Sequence, residues 1–173
     1  IDGGNAFDAA VATAATLGVV EPYWSGVGGI GVALAYIAKE GAVRALDFSG
    51  RTPMAGEAAQ FTEESMSKGI KSSLVPGNVA GWLTLHEAYG SMERERVFQP
   101  AIEYAENGFA LTPLNCFMIG SHLLGLRAAA PSEAIIFDGL TQDPAPGSRL
   151  RSPQLATTLR TIAKHGKEVF YTG

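Results

Sequence analysis

The fold begins with the stretch Gly3-Gly4-Asn5-Ala6-Phe7-Asp8-Ala9-Ala10-Val11-Ala12, in which small apolar residues recur at helical spacing. Asn5 and Asp8 are residue types that accept hydrogen bonds at a helix start. The pattern therefore predicts a helix that begins near one of them and runs through Leu17. Its apolar stripe consists of small side chains, which predict close packing of the helix against a neighbour.

A β-hairpin is predicted directly after this helix. Glu21-Pro22 ends the helix, and a glycine-rich loop leads into the apolar run 32–37, whose composition favours a buried strand. A Lys-Glu-Gly turn follows at 39–41, and residues 43–48 alternate partly between apolar and polar. The short connection predicts that the two strands pair antiparallel.

The rest of the chain is predicted to be mostly helical. Residues 55–73 lack a clear period, although a short helix could begin at Thr62. Helices are predicted from Pro76 to Gly90, from Arg96 to Asn107, from Leu114 to Ala129 and after Ser152-Pro153, with a short extended piece at 135–137. Two strands are too few for a complete sheet, because sheets average about 5–6 strands.

The composition argues against several classes of protein. The net charge is −4 and no basic stripe occurs, so nucleic acid is not an expected partner. No apolar run reaches the roughly 18 residues of a membrane helix, so no membrane interaction is expected. Cys116 is the one cysteine, so we expect no internal disulfide framework. The three histidines are far apart in the sequence and show no metal-ligand spacing, so we expect no metal site. The glycine-rich loop precedes a strand instead of following one, so it predicts no cofactor. The compartment is left open.

Short motifs are spread over the whole chain. They are GGNAFDAAVA at 3–12, LGVVEP at 17–22, SGVGG at 25–29, VPGNVAG at 75–81, QPAI at 99–102, AENGF at 105–109, LATTL at 155–159 and FYTG at 170–173. Each is short, but in this order they resemble the large-subunit region of the gamma-glutamyltransferase family, also called gamma-glutamyltranspeptidases or glutathione hydrolases.

The resemblance implies the α/β (α+β) fold of N-terminal nucleophile hydrolases, with four layers in the order αββα, of which this chain would supply two core strands and mostly helices. It implies an autoprocessing enzyme whose exposed threonine attacks a small-molecule amide such as glutathione and passes the acyl group to water or an amine. Residues 1–173 are expected to be a single fragment of the large-subunit region, incomplete at both ends. The expected partner is the missing small-subunit segment of the same precursor.

The chain offers one weak match to the family's nucleophile motif, Thr-x-His-x-Ser/Thr. Thr84-Leu85-His86 has the threonine two places before the histidine, but Ala88 stands where the motif requires Ser or Thr. The triplet also lies inside the helix predicted between Pro76 and Gly90, where a free chain end would destroy helical packing. We therefore expect no catalytic residue in this chain.

The segment after the second strand departs from the family pattern. There the resemblance implies Asp-x-Arg-Glu-x-Ala-Pro, in which the arginine binds the substrate's α-carboxylate. Asp47 and Pro53 match the two ends at unchanged spacing, but Ser49 stands at the arginine position and Gly50 at the glutamate position. We predict that Arg51 and Ser49 bind substrate, with Arg51 as the displaced cation. The alternative is that Arg51 is a solvated loop residue.

Two other functions fit the same sequence. The departure from the expected arginine favours the same superfamily chemistry on another amide, as in an acylase or an amidohydrolase. The third hypothesis is a non-catalytic scaffold module, and the unfinished sheet argues against it, because two strands rarely stand without partners.

Overall fold

The computed structural model describes residues 3–67, 69–128 and 144–173. Its elements are α1 (Ala6–Val20), β1 (Gly31–Ile37), β2 (Ala42–Phe48), α2 (Glu63–Ser67), α3 (Asn78–Tyr89), α4 (Arg94–Asn107), β3 (Phe109–Ala110), α5 (Pro113–Ala128), β4 (Arg149–Leu150), α6 (Pro153–His165) and α7 (Glu168–Tyr171). The described residues form a mixed α/β fold in which helices dominate, as the sequence predicts.

Helix α1 begins where the sequence predicts and extends further. Asn5 is its N-cap, and the Asp8 carboxylate accepts a hydrogen bond from the Asn5 N–H, which completes a capping box. The helix runs to Val20 instead of ending at position 17. The prediction that the stripe with Ala9, Ala10 and Thr13 packs closely on a neighbour is wrong, because these side chains are exposed and the helix buries the adjacent face with Val11, Ala15, Gly18 and Val19. On that face an added Cβ at Gly18 would lie 3.0 Å from the Gly26 Cα.

The main hydrophobic core lies between α1, α3, α4 and α6. Its buried side chains are Val11, Ala15, Val19, Val79, Trp82, Leu83, Val97, Phe98, Ala101, Ile102, Ala105, Ala156, Leu159, Ile162 and Ala163. Helix α4 is central, since it packs against both α1 and α6. Its Phe98 is the largest of the fully buried side chains. Within the described residues, the helical layer therefore has a closed core of its own.

Strands β1 and β2 form the predicted antiparallel hairpin, with a register from Gly31–Phe48 to Ile37–Ala42. One face of the hairpin packs against α3. The other face is 63–76% exposed at its large side chains, which are Val32, Leu34, Tyr36 and Val43. The prediction of a buried strand is therefore wrong for β1 in the described structure, because only one face of this antiparallel pair is covered.

The charged run at 93–96 contains a structural contact. Arg94 donates hydrogen bonds to the Ala163 carbonyl and, at 3.0 Å, to the Lys164 carbonyl. These carbonyls belong to the last turn of α6, where backbone acceptors have no partner within the helix. Arg94 therefore caps α6 and fixes the start of α4 against it.

Helix α5 begins at Pro113, next to its predicted start, and is described up to Ala128. The Asn115 amide donates to the Val20 carbonyl at 3.0 Å, which ties the start of α5 to the end of α1. Cys116 is half-buried in this helix. The extended piece predicted at 135–137 lies outside the described residues.

Candidate functional site

Three segments meet beside the end of β2. They are the loop between α1 and β1 (residues 21–30), the rim segment (residues 47–53, which begins in β2) and the α3 entry (residues 75–78, which ends with the first residue of α3). The N–H groups of Gly77 and Asn78 both donate to the Gly29 carbonyl, at 2.9 and 3.0 Å. A shared acceptor of this kind fixes the α3 entry on the loop after α1.

Glycines allow these segments to approach closely. A Cβ on Gly77 would lie 1.9 Å from the Phe48 carbonyl oxygen, so any side chain there would collide with the rim segment. Gly50 has a φ of +83°, and an added Cβ would lie 2.7 Å from Ile30 Cγ2 and 2.9 Å from the Val75 oxygen. The rim segment therefore needs glycine at position 50 both for its backbone conformation and for its contacts.

Arg51 is attached to the α3 entry through its backbone. The Val75 N–H donates to the Arg51 carbonyl at 2.8 Å, as an isolated antiparallel bridge. Both Ser49 and Arg51 are exposed. The chain is not extended between them, because β2 ends at position 48 and Gly50 has a positive φ. The structure thus places both predicted residues on the rim segment, with their side chains accessible.

Asp47 is the negative group of the rim segment. The Ser49 N–H donates to Asp47 Oδ1 at 2.9 Å. Hydrogen bonding by the Ser49 hydroxyl and N–H, together with the positive charge of Arg51, lowers the pKa of Asp47 below its ordinary value. Asp47 is therefore ionised at neutral pH, and the rim segment presents a guanidinium beside a carboxylate.

A surface cavity of about 720 Å³ continues from the rim segment. Thr52 and Pro53 line it, together with Phe61, Leu74 and Lys71. Apolar walls with an ammonium group suit an organic ligand that combines an apolar part with a negative charge. Thr52 and Pro53 follow Arg51 directly in the chain, but the Arg51 and Ser49 side chains do not line this cavity.

A polar cluster around Asp8 went unassigned in the sequence analysis. Asp8 is 3% exposed, and its carboxylate accepts hydrogen bonds from the Asn5, Ser91 and Met92 N–H groups and the Ser91 hydroxyl at 2.7–3.2 Å. Burial raises the pKa of Asp8, but these hydrogen bonds more than offset that effect and lower it to about 2. His86 Nε2 lies 3.5 Å from the same carboxylate. In the sequence, the one local sign of this cluster is the capping-box pattern of Asn5 and Asp8.

The described ranges contain no group of three or more His, Cys, Asp or Glu residues that could hold a metal ion. In the same part of the chain, no helix is long and apolar enough to cross a membrane. Thr84 lies in the middle of α3 with an exposed side chain. The site is therefore described by the rim segment, the α3 entry and the adjoining cavity.

Comparison with known proteins agrees with this architecture. The gamma-glutamyltranspeptidase family model matches residues 1–173. The glutathione hydrolase-like YwrD proenzyme of Bacillus subtilis is 36% identical, with 99% of this chain and 33% of that protein covered. The oxamate amidohydrolase proenzyme of Klebsiella pneumoniae is 35% identical, with 99% of this chain and 34% of that protein covered.

A solved structure extends the likeness to the fold. The crystal structure of Helicobacter pylori gamma-glutamyltranspeptidase has a TM-score of 0.93 at 31% identity, and the match covers 99% of this chain and 51% of that one. The chain spans about a third of the length of the curated relatives it matches. With a family match over its whole length and the fold of a solved member, the chain belongs to the gamma-glutamyltranspeptidase family.

Proposed function

We propose that this chain is the large-subunit part of an N-terminal threonine hydrolase or acyltransferase that cleaves γ-glutamyl amide bonds, with glutathione as the first candidate substrate. Family membership supports the reaction class. The proenzyme names of its relatives support a precursor that processes itself. The nucleophilic threonine would come from the small-subunit segment of that precursor. The role of the present chain is to bind and orient the substrate.

The proposed reaction needs a nucleophile and a base on one residue. The hydroxyl oxygen of the terminal threonine attacks the γ-carbonyl carbon, and the free amine of the same threonine takes the hydroxyl proton. The C–N bond breaks, the leaving amine departs with that proton, and the acyl group remains as an ester. Water or a second amine then attacks the ester and releases glutamate or a new amide.

The placement of Arg51 carries the substrate assignment. Its backbone is fixed by the Val75 N–H, while its side chain is accessible on the rim segment. A guanidinium binds a carboxylate through two parallel hydrogen bonds, so Arg51 suits the α-carboxylate of a γ-glutamyl group. Ser49 adds a hydroxyl on the same segment, next to Asp47. Together they form the proposed carboxylate-binding group.

The test replaces Arg51 in the full-length protein and measures hydrolysis of a γ-glutamyl anilide. We expect Arg51→Ala to raise KM about ten- to a hundredfold, because a hydrogen bond to a charged group contributes about 1.5–3 kcal/mol. The matched control is Arg44→Ala, on the same hairpin, where Arg44 pairs with Glu40 at 2.6 Å. The control should stay within about twofold of the wild type. An unchanged KM in Arg51→Ala would refute the assignment.

A second candidate is the same chemistry on another amide. Two observations favour it: Ser49-Gly50 replaces the expected Arg-Glu pair, and the similar protein from Klebsiella pneumoniae is named an oxamate amidohydrolase proenzyme. One preparation of the full-length protein, assayed with oxamate and with the γ-glutamyl anilide, separates the two candidates. If kcat/KM is higher for oxamate than for the γ-glutamyl anilide, the γ-glutamyl assignment is wrong and the second candidate takes its place.

A scaffold module without catalysis is the third candidate, and the hairpin argues against it. Val32, Leu34 and Tyr36 form an apolar face that the described chain leaves exposed. An exposed apolar patch of this kind on a sheet is the usual mark of a surface that packs against another layer. This supports a chain that works as part of a larger enzyme.

A further inference from the structure

The start of α3 has an unusual cap. Its N-cap residue, Gly77, has no side chain to accept a hydrogen bond from the first turn, and a side chain there would collide with Phe48. The first backbone N–H groups of a helix have no partner within the helix, so another group must supply one. At α3 the Gly29 carbonyl accepts from the Asn78 N–H, whereas the acceptor for the Ala80 N–H comes from 91 residues further along the chain.

The Tyr171 hydroxyl in α7 takes that place. It accepts a hydrogen bond from the Ala80 N–H at 3.1 Å and donates one to the Pro76 carbonyl at 2.9 Å. Ala80 lies in the first turn of α3 and Pro76 lies in the α3 entry. One hydroxyl therefore holds both the first turn of the helix and the segment that precedes it.

The α3 entry is also the segment that holds the rim. Val75, next to Pro76, donates its N–H to the Arg51 carbonyl at 2.8 Å. On the other side, Gly77 donates to the Gly29 carbonyl at 2.9 Å. The Tyr171 hydroxyl is therefore linked to the backbone of Arg51 by two hydrogen bonds, at Pro76 and at Val75, joined by the peptide bond between these two residues.

We infer that Tyr171 is a positioning residue for substrate binding: its hydroxyl fixes the α3 entry and so fixes the backbone from which Arg51 reaches the substrate. Tyr171 acts through Val75 and does not itself contact substrate. The inference rests on the proposed role of Arg51. A tyrosine with only a capping role would stabilise α3 and leave substrate affinity unchanged, which makes the two roles separable by kinetics.

The test uses Tyr171→Phe in the full-length protein, with KM and kcat measured on the γ-glutamyl anilide. We expect KM to rise about two- to tenfold with kcat within about twofold, since the loss is that of neutral hydrogen bonds. In an Arg51→Ala background, the same substitution should change KM by less than about 1.5-fold, because the group it positions is gone. Tyr104→Phe, on the outer side of α4, is the control and should change neither constant.

A second variant separates positioning from general loss of stability. Val169→Ala disturbs the packing of α7 on the core and keeps the Tyr171 hydroxyl, whereas Phe170 is unsuitable because its ring contacts the Tyr171 ring edge-to-face at 5.1 Å. Val169→Ala should lower the melting temperature without raising KM. The inference fails if Tyr171→Phe leaves KM unchanged while Arg51→Ala raises it, or if Val169→Ala raises KM as much as Tyr171→Phe. If Arg51→Ala itself has no effect, the inference and the substrate-binding role of Arg51 both fail, while the proposed reaction fails only if the wild type releases no glutamate.

Discussion

The helical core and the hairpin end of the molecule differ in how completely each is covered. Around Phe98, helices from four parts of the chain enclose a buried cluster. Across β1 and β2, apolar side chains such as Leu34 remain exposed on one face, and the rim segment with Arg51 is accessible. The contrast teaches that the described residues enclose a core between their own helices, while one face of the hairpin and the candidate site stay exposed.

The same contrast appears in how the two regions are held. The core is held by side-chain packing and by the buried carboxylate of Asp8. The rim segment is held by backbone hydrogen bonds and by glycines that allow close approach, with few buried side chains. Substitutions should therefore affect stability most in the core, and substrate binding most at the rim.

The largest expected effect is at the centre of the core. Phe98→Ala should lower the free energy of unfolding by about 3–5 kcal/mol, because it leaves a cavity where a fully buried ring was. Tyr104→Ala on the exposed side of the same helix should lower it by less than about 1 kcal/mol. Urea unfolding followed by circular dichroism measures both. Equal losses would mean that the helical layer is not the closed core described above.

The next effect is the pH dependence of the free energy of unfolding that Asp8 causes. Its folded pKa of about 2 lies below its ordinary value of 3.8, so its stabilisation is complete above pH 3.8 and is lost as the pH falls towards 2. The shift corresponds to about 2 kcal/mol. Asp8→Asn should remove this part of the pH dependence in urea unfolding, while Glu63→Gln at an exposed position should keep it. If Asp8→Asn unfolds with the same pH dependence as the wild type, this pH dependence does not come from Asp8.

The smallest effect is a difference in stability between two glycine variants, and it tests how closely the rim segment is packed. Gly50 and Gly147 have nearly the same φ, +83° and +84°. An added Cβ at Gly50 would meet Ile30 and Val75, whereas at Gly147 no atom of the described residues lies within 4 Å of it. Gly147→Ala should lower the free energy of unfolding by about 1 kcal/mol through backbone strain. Gly50→Ala should lower it by about 1 kcal/mol more and also raise KM. If the two variants lose the same stability, the rim is not held as closely as the distances indicate.

Much of the fold could be predicted from local sequence. The helix after Asn5, the antiparallel hairpin and the helix ending at Gly90 carry their signals in cap residues, turn residues and periodicity, and the structure confirms them. What could not be predicted depends on partners far along the chain. Arg94 meets carbonyls about 70 residues away, and Tyr171 meets the α3 entry 95 residues away. No local pattern encodes such pairs.

The candidate site was predicted to a smaller extent. The motif order indicated the family, and the comparison of Asp47–Pro53 with the family pattern singled out Ser49 and Arg51. The sequence could not show that Gly50 adopts a positive φ, nor that Val75 pairs with the Arg51 backbone. Both depend on how separate segments pack in three dimensions. The substrate-binding role of Ser49 and Arg51 stays a prediction.

The most direct test of the central claim is to express the full-length gene product and ask whether it splits itself into two chains and releases glutamate from a γ-glutamyl anilide. The account predicts both events: two bands on a denaturing gel, and glutamate in the assay. Self-cleavage without glutamate release would mean that the enzyme acts on an acyl group other than γ-glutamyl. A protein that stays a single chain and releases nothing would contradict the proposed enzyme.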